Sequence, residues 1–203
     1  MTTTDALFCS LTPLRLAELV RSARHAVCYA GPGLQLDLAQ AMVEVAGRVG
    51  KEMLTVSLDF DDRVMRMGYG NVDAVKLLLD AGIAVQSSPG LRTALVVVDN
   101  EGYIFTPTAL YLEAEPTDGA ASNAVRMSGE QVSQALARLS PAAKTIAIAQ
   151  AKTPEAKQHI EALTVDVVSA PITPEKLAEV TSSLETAPPV RFDLARQVRV
   201  FEP

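Results

Sequence analysis

A chain of 203 residues, with 48% hydrophobic and 21% charged residues, has enough apolar content to bury a core, which excludes disorder along the whole chain. The formal charge of -6 argues against a general binder of nucleic acids or anionic membranes, although it leaves room for a local basic patch. Aromatic residues make up only 4% and Trp is absent, so an aromatic platform for stacking bases is not expected.

The first half of the chain alternates predicted helices and strands. Thr12-Pro13 begins the first helix, because Thr is a good N-cap and Pro fits the first helical turn. Apolar residues at helical spacing predict helices over about 12–24, 36–49 and 72–80. Short apolar runs predict strands over about 26–30, 53–58, 83–85, 93–98 and 103–105, the last two joined by a hairpin at Asn100-Glu-Gly102.

Strands that alternate with helices pair in parallel, and a terminal hairpin adds an antiparallel edge. Residues 10–116 are therefore expected to form an α/β sandwich with a mixed, mainly parallel sheet. Residues 117–127 are polar and rich in Gly, Ala and Ser, which indicates a linker or lid. Residues 128–203 are expected to form a mostly helical α+β extension that ends in a strand.

Three capped helix starts lie in this extension, at Ser128, Thr153 and Thr173. Residues 145–149 fit either a strand or a helix, and residues 165–168 fit a strand. Val198 and Val200 alternate with polar neighbours, which predicts a final strand. A chain that stops directly after such a strand is interpreted as a piece of a longer protein, or as a strand that docks on a partner.

Residues 72–106 resemble the core of the phospholipase D-like superfamily. In that family a helix and a strand lead through a Pro-Gly turn into a strand that carries His-x-Lys-x4-Asp, and Gly-Ser-x-Asn follows. This chain has the helix, the strand, Pro89-Gly90 and a strand that ends at Asp99. The apolar run 26–30 and its Gly-Pro-Gly turn are similar to the family's first strand. The resemblance implies a phospholipase D-like α/β sandwich over about half of the chain.

Most of the residues that carry the family's reaction are replaced in this sequence. The family's enzymes attack a phosphodiester with a neutral His, a second His protonates the leaving oxygen, and Lys and Asn stabilise the phosphoryl charge. Aligned on Asp99, the nucleophile position holds Arg92, the Lys position Ala94 and the Asn position Ala109. An Arg guanidinium stays protonated and cannot be the nucleophile. The resemblance therefore implies a degenerate member, inactive in the family's own chemistry.

One candidate site lies at the mouth of the site that the resemblance implies. Arg92 and Thr93, together with Asp99 and Thr106, are the candidate anion-binding residues, because Arg and hydroxyl groups bind phosphate or carboxylate. The alternative is that Arg92 is a solvated residue where a strand begins.

A second candidate site is the acidic turn Asp59, Asp61 and Asp62, which follows a predicted strand at the edge where open α/β sheets gather their sites. Three carboxylates are able to hold Mg²⁺ or Ca²⁺. The alternative is that these acids precede a helix, whose N-terminus favours them. No cofactor is expected, and Cys9 and Cys28 lack the spacing of a metal or redox pair.

Three functional hypotheses follow. The first is a non-catalytic binding or assembly module, paired as a homodimer because the family's half-domains commonly pair, with a protein, a nucleic acid or a phosphate-bearing ligand as its partner. The second is an accessory piece of a larger protein. The third is a phosphodiesterase or nuclease-type hydrolase that uses a non-standard metal site or a site completed by a partner. We rank them in that order.

The start of the chain has no basic and apolar leader, and no apolar stretch approaches the ~20 residues of a membrane helix. We therefore expect a soluble, cytoplasmic protein with no membrane partner. Its content of Ala, Val and Leu is typical of bacterial proteins.

Overall fold

The computed structural model describes residues 6–111 and 122–188, and an open sheet of eight strands organises them. The strands are β1 (Phe8–Cys9), β2 (Val27–Gly31), β3 (Leu54–Leu58), β4 (Val85–Ser87), β5 (Ala94–Val98), β6 (Glu101–Phe105), β7 (Ala124–Arg126) and β8 (Ala170–Pro171). The helices are α1 (Pro13–Arg21), α2 (Leu36–Val49), α3 (Asp62–Met67), α4 (Val72–Asp80), α5 (Gly129–Leu139), α6 (Pro141–Gln150), α7 (Pro154–Ala162) and α8 (Pro174–Thr186), with a 3-10 turn at Lys51–Met53.

The sheet is mixed, as the sequence predicts, but most of its pairs are antiparallel. Its order is β1-β7-β6-β5-β2-β3-β4-β8, and only β2–β3 and β3–β4 pair in parallel within the described residues. The expectation of a mainly parallel sheet was wrong because residues 88–93, between β4 and β5, are too few for a parallel crossover. As a result β5 crosses to the far side of β2 and runs antiparallel to it.

Helices cover both faces of this sheet. The side chains of Val27, Tyr29 and Val96 belong to the apolar cluster that includes α1, α2 and α4. The alternate residues Cys28 and Val97 belong to a second cluster with α5, α6 and α7. We call these the α1–α2 face and the α5–α6 face. The central strands are buried on both faces, which explains their continuous apolar sequences.

Asp99 ties the beginning of β2 to the end of β5. Its carboxylate accepts hydrogen bonds from the backbone N–H groups of Arg24, His25 and Ala26 at 2.8–3.3 Å, and its own N–H donates to the Ala26 carbonyl at 2.9 Å. Asp99 also adopts a left-handed φ of 54° in the two-residue turn between β5 and β6. Burial raises the pKa of Asp99, but these backbone hydrogen bonds outweigh it and hold the pKa below its usual value.

The last helix is fastened to α3 by a polar clasp. The Ser183 hydroxyl donates to Asp62 Oδ2 at 2.6 Å, and Arg66 donates to the Ser183 carbonyl at 2.7 Å. The Ser183 hydrogen bond is the main cause that holds the pKa of Asp62 below its usual value. The clasp docks α8 on the same side of the sheet as α4, with Val180 in the α1–α2 cluster.

The predicted helix caps are confirmed, including the side-chain caps at Thr12, Thr153 and Thr173 and the capping box at Ser128. Residues 145–149 belong to helix α6. The strand expected at 165–168 was wrong, because this stretch pairs with no strand among the described residues and β8 forms at Ala170–Pro171 instead. None of the described helices is long and apolar enough to cross a membrane.

The second half of the chain contributes to the sheet of the first half. β7 pairs with β6, and β8 pairs with β4. Of the predicted linker 117–127, residues 117–121 lie outside the described residues, and residues 124–126 form β7 rather than a linker. The strand predicted at 198–200 also lies outside the described residues. The division into domains at residues 10–116 and 128–203 stays a prediction.

We predict that Asp99→Gly lowers the free energy of unfolding by about 2 kcal/mol, because three backbone donors lose a charged acceptor. Asp99→Ala should cost about 1 kcal/mol more, since Ala disfavours the left-handed backbone that Gly adopts freely. Asp99→Asn, which keeps one acceptor oxygen, should lie between wild type and Gly. Urea denaturation of the four proteins measures these differences.

The same series has a defined pH dependence. The pKa of Asp99 is lower in the folded than in the unfolded protein, so its stabilisation is present above the unfolded value of ~3.9 and is lost as the pH falls through the folded value. The difference between wild type and Asp99→Asn should therefore shrink at acid pH. A difference that is constant with pH would show that the carboxylate charge does not stabilise the turn.

Candidate functional site

Several strand ends meet at one edge of the sheet. The parallel strands β2, β3 and β4 all end there, at Gly31, Leu58 and Ser87. Because β5 runs antiparallel to β2, its first residue lies at the same edge, and Ala94 pairs with Phe105 at the end of β6. We call this the carboxyl edge, and it is where open α/β sheets place their ligands.

Arg92 and Asp59, which the sequence assigns to two separate candidate sites, meet at the carboxyl edge. Arg92 Nη2 lies 3.3 Å from Asp59 Oδ2. The Asp59 side chain is only 6% exposed, whereas Arg92 is 58% exposed. A buried carboxylate at the base therefore orients an accessible guanidinium, whose planar set of N–H donors suits phosphate or carboxylate.

The backbone around Asp59 fixes its position. The Asp59 N–H donates to the Gly31 carbonyl at 3.1 Å, which extends the parallel β2–β3 ladder by one residue. The Asp59 carbonyl in turn accepts from the Asp61 N–H at 2.9 Å, which turns the chain into α3. Asp59 therefore belongs to the rigid sheet, and Arg92 reaches it from the turn before β5.

The three carboxylates of the acidic turn do not converge on one point. Asp61 caps α3 by accepting from the Arg63 N–H at 2.9 Å, and Asp62 is held in the clasp with Ser183. Asp59 faces Arg92. In the described ranges, no group of three or more His, Cys, Asp or Glu side chains is arranged to hold a metal ion. The structure thus gives the metal prediction at these three residues no support.

Ala94, at the position that the resemblance assigns to Lys, is closely packed by its neighbours. Ala94 is fully buried, and a Cβ atom on Gly31 would lie 3.3 Å from the Ala94 Cβ and 3.2 Å from the Tyr29 hydroxyl. The Tyr29 hydroxyl is itself buried and donates to the Gly33 carbonyl at 2.7 Å. No long cationic side chain fits at residue 94 without displacing these groups.

The other predicted anion-binding residues divide between the two ends of β5. Thr93 is exposed beside Arg92, and Thr106 is exposed at the end of β6, where its N–H donates to the Asn123 carbonyl. Asp99 lies at the opposite end of β5, roughly 20 Å from Arg92 along the strand. Its hydrogen bonds give Asp99 a structural role, and the structure does not bring it to the same site.

Sequence reasoning missed Ser88 at the carboxyl edge. Its N–H donates to the Leu58 carbonyl at 2.7 Å, which places it beside Asp59 at the end of β3. Its side chain is fully buried, and its Oγ has no hydrogen-bond partner in the described part of the chain. The signal in the sequence was a polar pair, Ser87-Ser88, directly after an apolar strand.

No protein-family model and no curated protein matches this chain. The crystal structure of a phospholipase D family member, Nuc from Salmonella typhimurium, is similar to it over 56% of this chain and 70% of that chain, with 16% sequence identity and a TM-score of 0.38. A likeness of that size establishes neither a shared family nor a shared activity.

We predict that Arg92→Ala destabilises the protein more than its exposure suggests, because it leaves the buried Asp59 carboxylate without a counter-charge. Asp59→Asn in the Arg92→Ala background should restore part of the loss. A double-mutant cycle measured by urea denaturation should give a coupling of about 0.5–1 kcal/mol between the two side chains. Additive effects would mean that the two groups do not interact in solution.

Proposed function

We propose that this chain is a non-catalytic, phospholipase D-like binding module that holds an anionic group of its ligand at Arg92. The observation that carries the proposal is the exposed Arg92 guanidinium seated on the buried Asp59 carboxylate at the carboxyl edge. A guanidinium held in one orientation loses less entropy when it binds an anion than a free one does.

The guanidinium keeps donors free for a ligand. Only Nη2 faces Asp59, and the remaining N–H groups of Arg92 have no protein acceptor among the described residues. The exposed Thr93 and Thr106 hydroxyls lie at the same edge. Arg and hydroxyl donors together form the set that phosphate oxygens accept from.

The positions of the histidines support binding over the family's hydrolysis. His25 lies at the edge opposite Arg92, where its N–H donates to Asp99, and His159 lies on the exposed surface of α7. The His25 imidazole is therefore not placed to attack a phosphodiester at the carboxyl edge or to protonate a leaving oxygen there. Ala94 supplies no cation.

The module is further proposed to pair with a second copy of itself. Leu95, Ile104, Val125 and Phe8 stand directly opposite one another across β5, β6, β7 and β1 and so form one apolar row on the α5–α6 face. In this row Leu95 is 9% exposed and Val125 is half-buried, whereas Ile104 is 43% and Phe8 63% exposed. The row continues a buried cluster out to an edge strand, and a two-fold copy of the same row would cover it. A bacterial origin and a cytoplasmic location also stay predictions.

We predict that Arg92→Ala weakens binding of inorganic phosphate and of short single-stranded DNA about tenfold, because a charge-assisted contact is lost. Arg92→Lys should weaken binding less than Arg92→Ala does. Lys keeps the positive charge but lacks the planar pair of N–H donors with which Arg binds two oxygens of an anion. Arg24→Ala removes the same charge from an exposed residue at the opposite edge and should leave binding unchanged. Titration calorimetry on the folded variants measures each affinity.

Hydrolysis of bis(p-nitrophenyl) phosphate by the same samples separates the competing functions. We expect none above the buffer rate. Turnover that Arg92→Ala abolishes would overturn the non-catalytic reading in favour of a hydrolase. Equal phosphate and DNA affinities for wild type and Arg92→Ala would overturn the assignment of Arg92 as the anion site.

For the pairing, we predict that wild type sediments as a dimer and that Phe8→Ser combined with Ile104→Thr shifts it to the monomer, because both changes replace exposed apolar side chains with polar ones. Val168→Ser is the control, since Val168 is an 85% exposed side chain away from the row. Analytical ultracentrifugation measures the shift. A wild-type monomer, or a dimer that survives the double change, would contradict the proposal.

A further inference from the structure

Buried polar side chains are concentrated at the carboxyl edge. The structure describes six buried polar or charged side chains, namely Thr12, Thr55, Ser57, Asp59, Ser88 and Ser140. Thr12 and Ser140 accept hydrogen bonds as the caps of α1 and α6. Ser57, Asp59 and Ser88 lie at or directly after the ends of β3 and β4. A buried polar group costs free energy unless it is hydrogen-bonded, so this concentration requires a physical reason.

The Ser88 hydroxyl is the group that packing explains least. Its Oγ and Thr55 Oγ1 are fully buried and have no hydrogen-bond partner among the described residues. Thr55 lies opposite Cys28 in the β2–β3 pair, where the thiol is a weak donor beside the Thr55 hydroxyl. An unpaired buried hydroxyl destabilises the folded protein. Residues that break such a rule are expected where a site needs them.

Ser88 lies next to both members of the charged pair. Its N–H donates to the Leu58 carbonyl at 2.7 Å, which places it beside Asp59 at the spacing of neighbouring strands, about 5 Å. Its carbonyl accepts from the Leu91 N–H at 3.2 Å, so residues 88–91 form a tight turn. Arg92 follows this turn directly and pairs with Asp59.

Strand alternation directs the Ser88 and Asp59 side chains to the same face of the sheet. Val85 and Leu58 belong to the cluster of the α1–α2 face. Asp59 comes one residue after Leu58 and Ser88 comes three residues after Val85, so both are directed to the α5–α6 side. The hydroxyl, the carboxylate and the Arg92 guanidinium therefore lie together at the end of β3.

Ser88 reaches a ligand only when the turn 88–93 opens. Four of the six residues of this turn are exposed. At its tip Gly90 has a φ of 82° and, apart from its chain neighbours, no heavy atom within 4 Å of the place a Cβ atom would take. Leu91 packs on the α5–α6 cluster, and Arg92 holds the turn to Asp59. An anion that draws Arg92 away from Asp59 would loosen the turn and uncover Ser88.

We propose that the Ser88 hydroxyl is a second donor of the anion site and makes it selective for phosphate over carboxylate. The inference rests on the proposed binding of an anion at Arg92. A carboxylate has two oxygens, which a guanidinium binds as a planar pair, whereas a phosphate group has further oxygens outside that plane. With the turn open, Ser88 Oγ donates to one of these further oxygens. The ligand class is therefore a phosphate-bearing molecule.

The experiment titrates the full chain with inorganic phosphate and, separately, with acetate at neutral pH, and follows the backbone amide signals by NMR. Wild type should bind phosphate at least about fivefold more tightly than acetate. Ser88→Ala should weaken phosphate binding about fivefold and change acetate binding less than about twofold, because only phosphate uses the hydroxyl. Ser88→Cys keeps a side chain of similar shape with a weaker donor and should also lose phosphate affinity.

Thr55→Val is the matched control. It removes the other buried hydroxyl without a partner, which lies on β3 about 13 Å from Asp59 along the strand. Both affinities should stay unchanged in this variant. Urea denaturation of Ser88→Ala adds a second measurement, in which the midpoint should stay equal or rise because no protein partner is lost.

Three results would overturn the role of Ser88: an unchanged phosphate affinity in both Ser88 variants, an equal loss of phosphate and acetate affinity, or a lower urea midpoint for Ser88→Ala. If Arg92→Ala still weakens phosphate binding in that case, the anion site stands and only the role of Ser88 is wrong. A wild-type protein that binds no phosphate, or an Arg92→Ala variant with unchanged affinity, would overturn the proposed function together with this inference.

Discussion

The antiparallel pairing of β2 with β5 is the constraint on which the rest of this structure depends. These two strands are the centre of the sheet, and each is buried on both faces. Asp99 sets their register, because one carboxylate accepts from three successive N–H groups at the beginning of β2. A slip of one residue would move every side chain of β5 to the other face and exchange the two apolar clusters.

The fixed register at one end of β5 determines what stands at the other end. With Val98 opposite Val27, Leu95 falls opposite Ala30, and Ala94 reaches Gly31 at the carboxyl edge. The turn before β5 then brings Arg92 over the end of β3, where Asp59 is held by the Gly31 carbonyl. The candidate anion site at Arg92 thus depends on Asp99 at the far end of the same strand. Asp99 has a structural role and Arg92 the proposed binding role, although both belong to the segment 92–99.

The sequence could predict the elements that have strong local signals. Capped helices such as those after Thr12 and Ser128, and the long apolar run of β5, were recognisable because cap chemistry and burial act over a few residues. β1, β7 and β8 have only two or three residues each, too few to show a period of two, and they exist because the sheet supplies a partner. The stretch 165–168 has strand-like residues, but it pairs with no strand in the described part of the chain, so strand propensity alone gave a wrong prediction.

The sequence could identify the residues of the candidate site, but it could not predict which of them contact one another. Arg92 and the acidic turn were identified separately, and their contact depends on β5 crossing to the far side of β2, which no local pattern encodes. The metal hypothesis assumed that three acids close in sequence are also close in space. In the structure Asp59 pairs with Arg92, Asp61 caps α3 and Asp62 accepts a hydrogen bond from Ser183.

Strand alternation directs neighbouring residues at the carboxyl edge to opposite faces of the sheet. Leu58 points into the cluster of the α1–α2 face, so the next residue, Asp59, is directed to the α5–α6 side. Tyr29, Ala94 and Phe105 belong to the α1–α2 face. The carboxyl edge therefore has buried apolar packing around Ala94 and a charged pair formed by Asp59 and Arg92. A Lys at residue 94 would put a cation into this apolar packing, which is a physical reason why Ala is the residue that fits there.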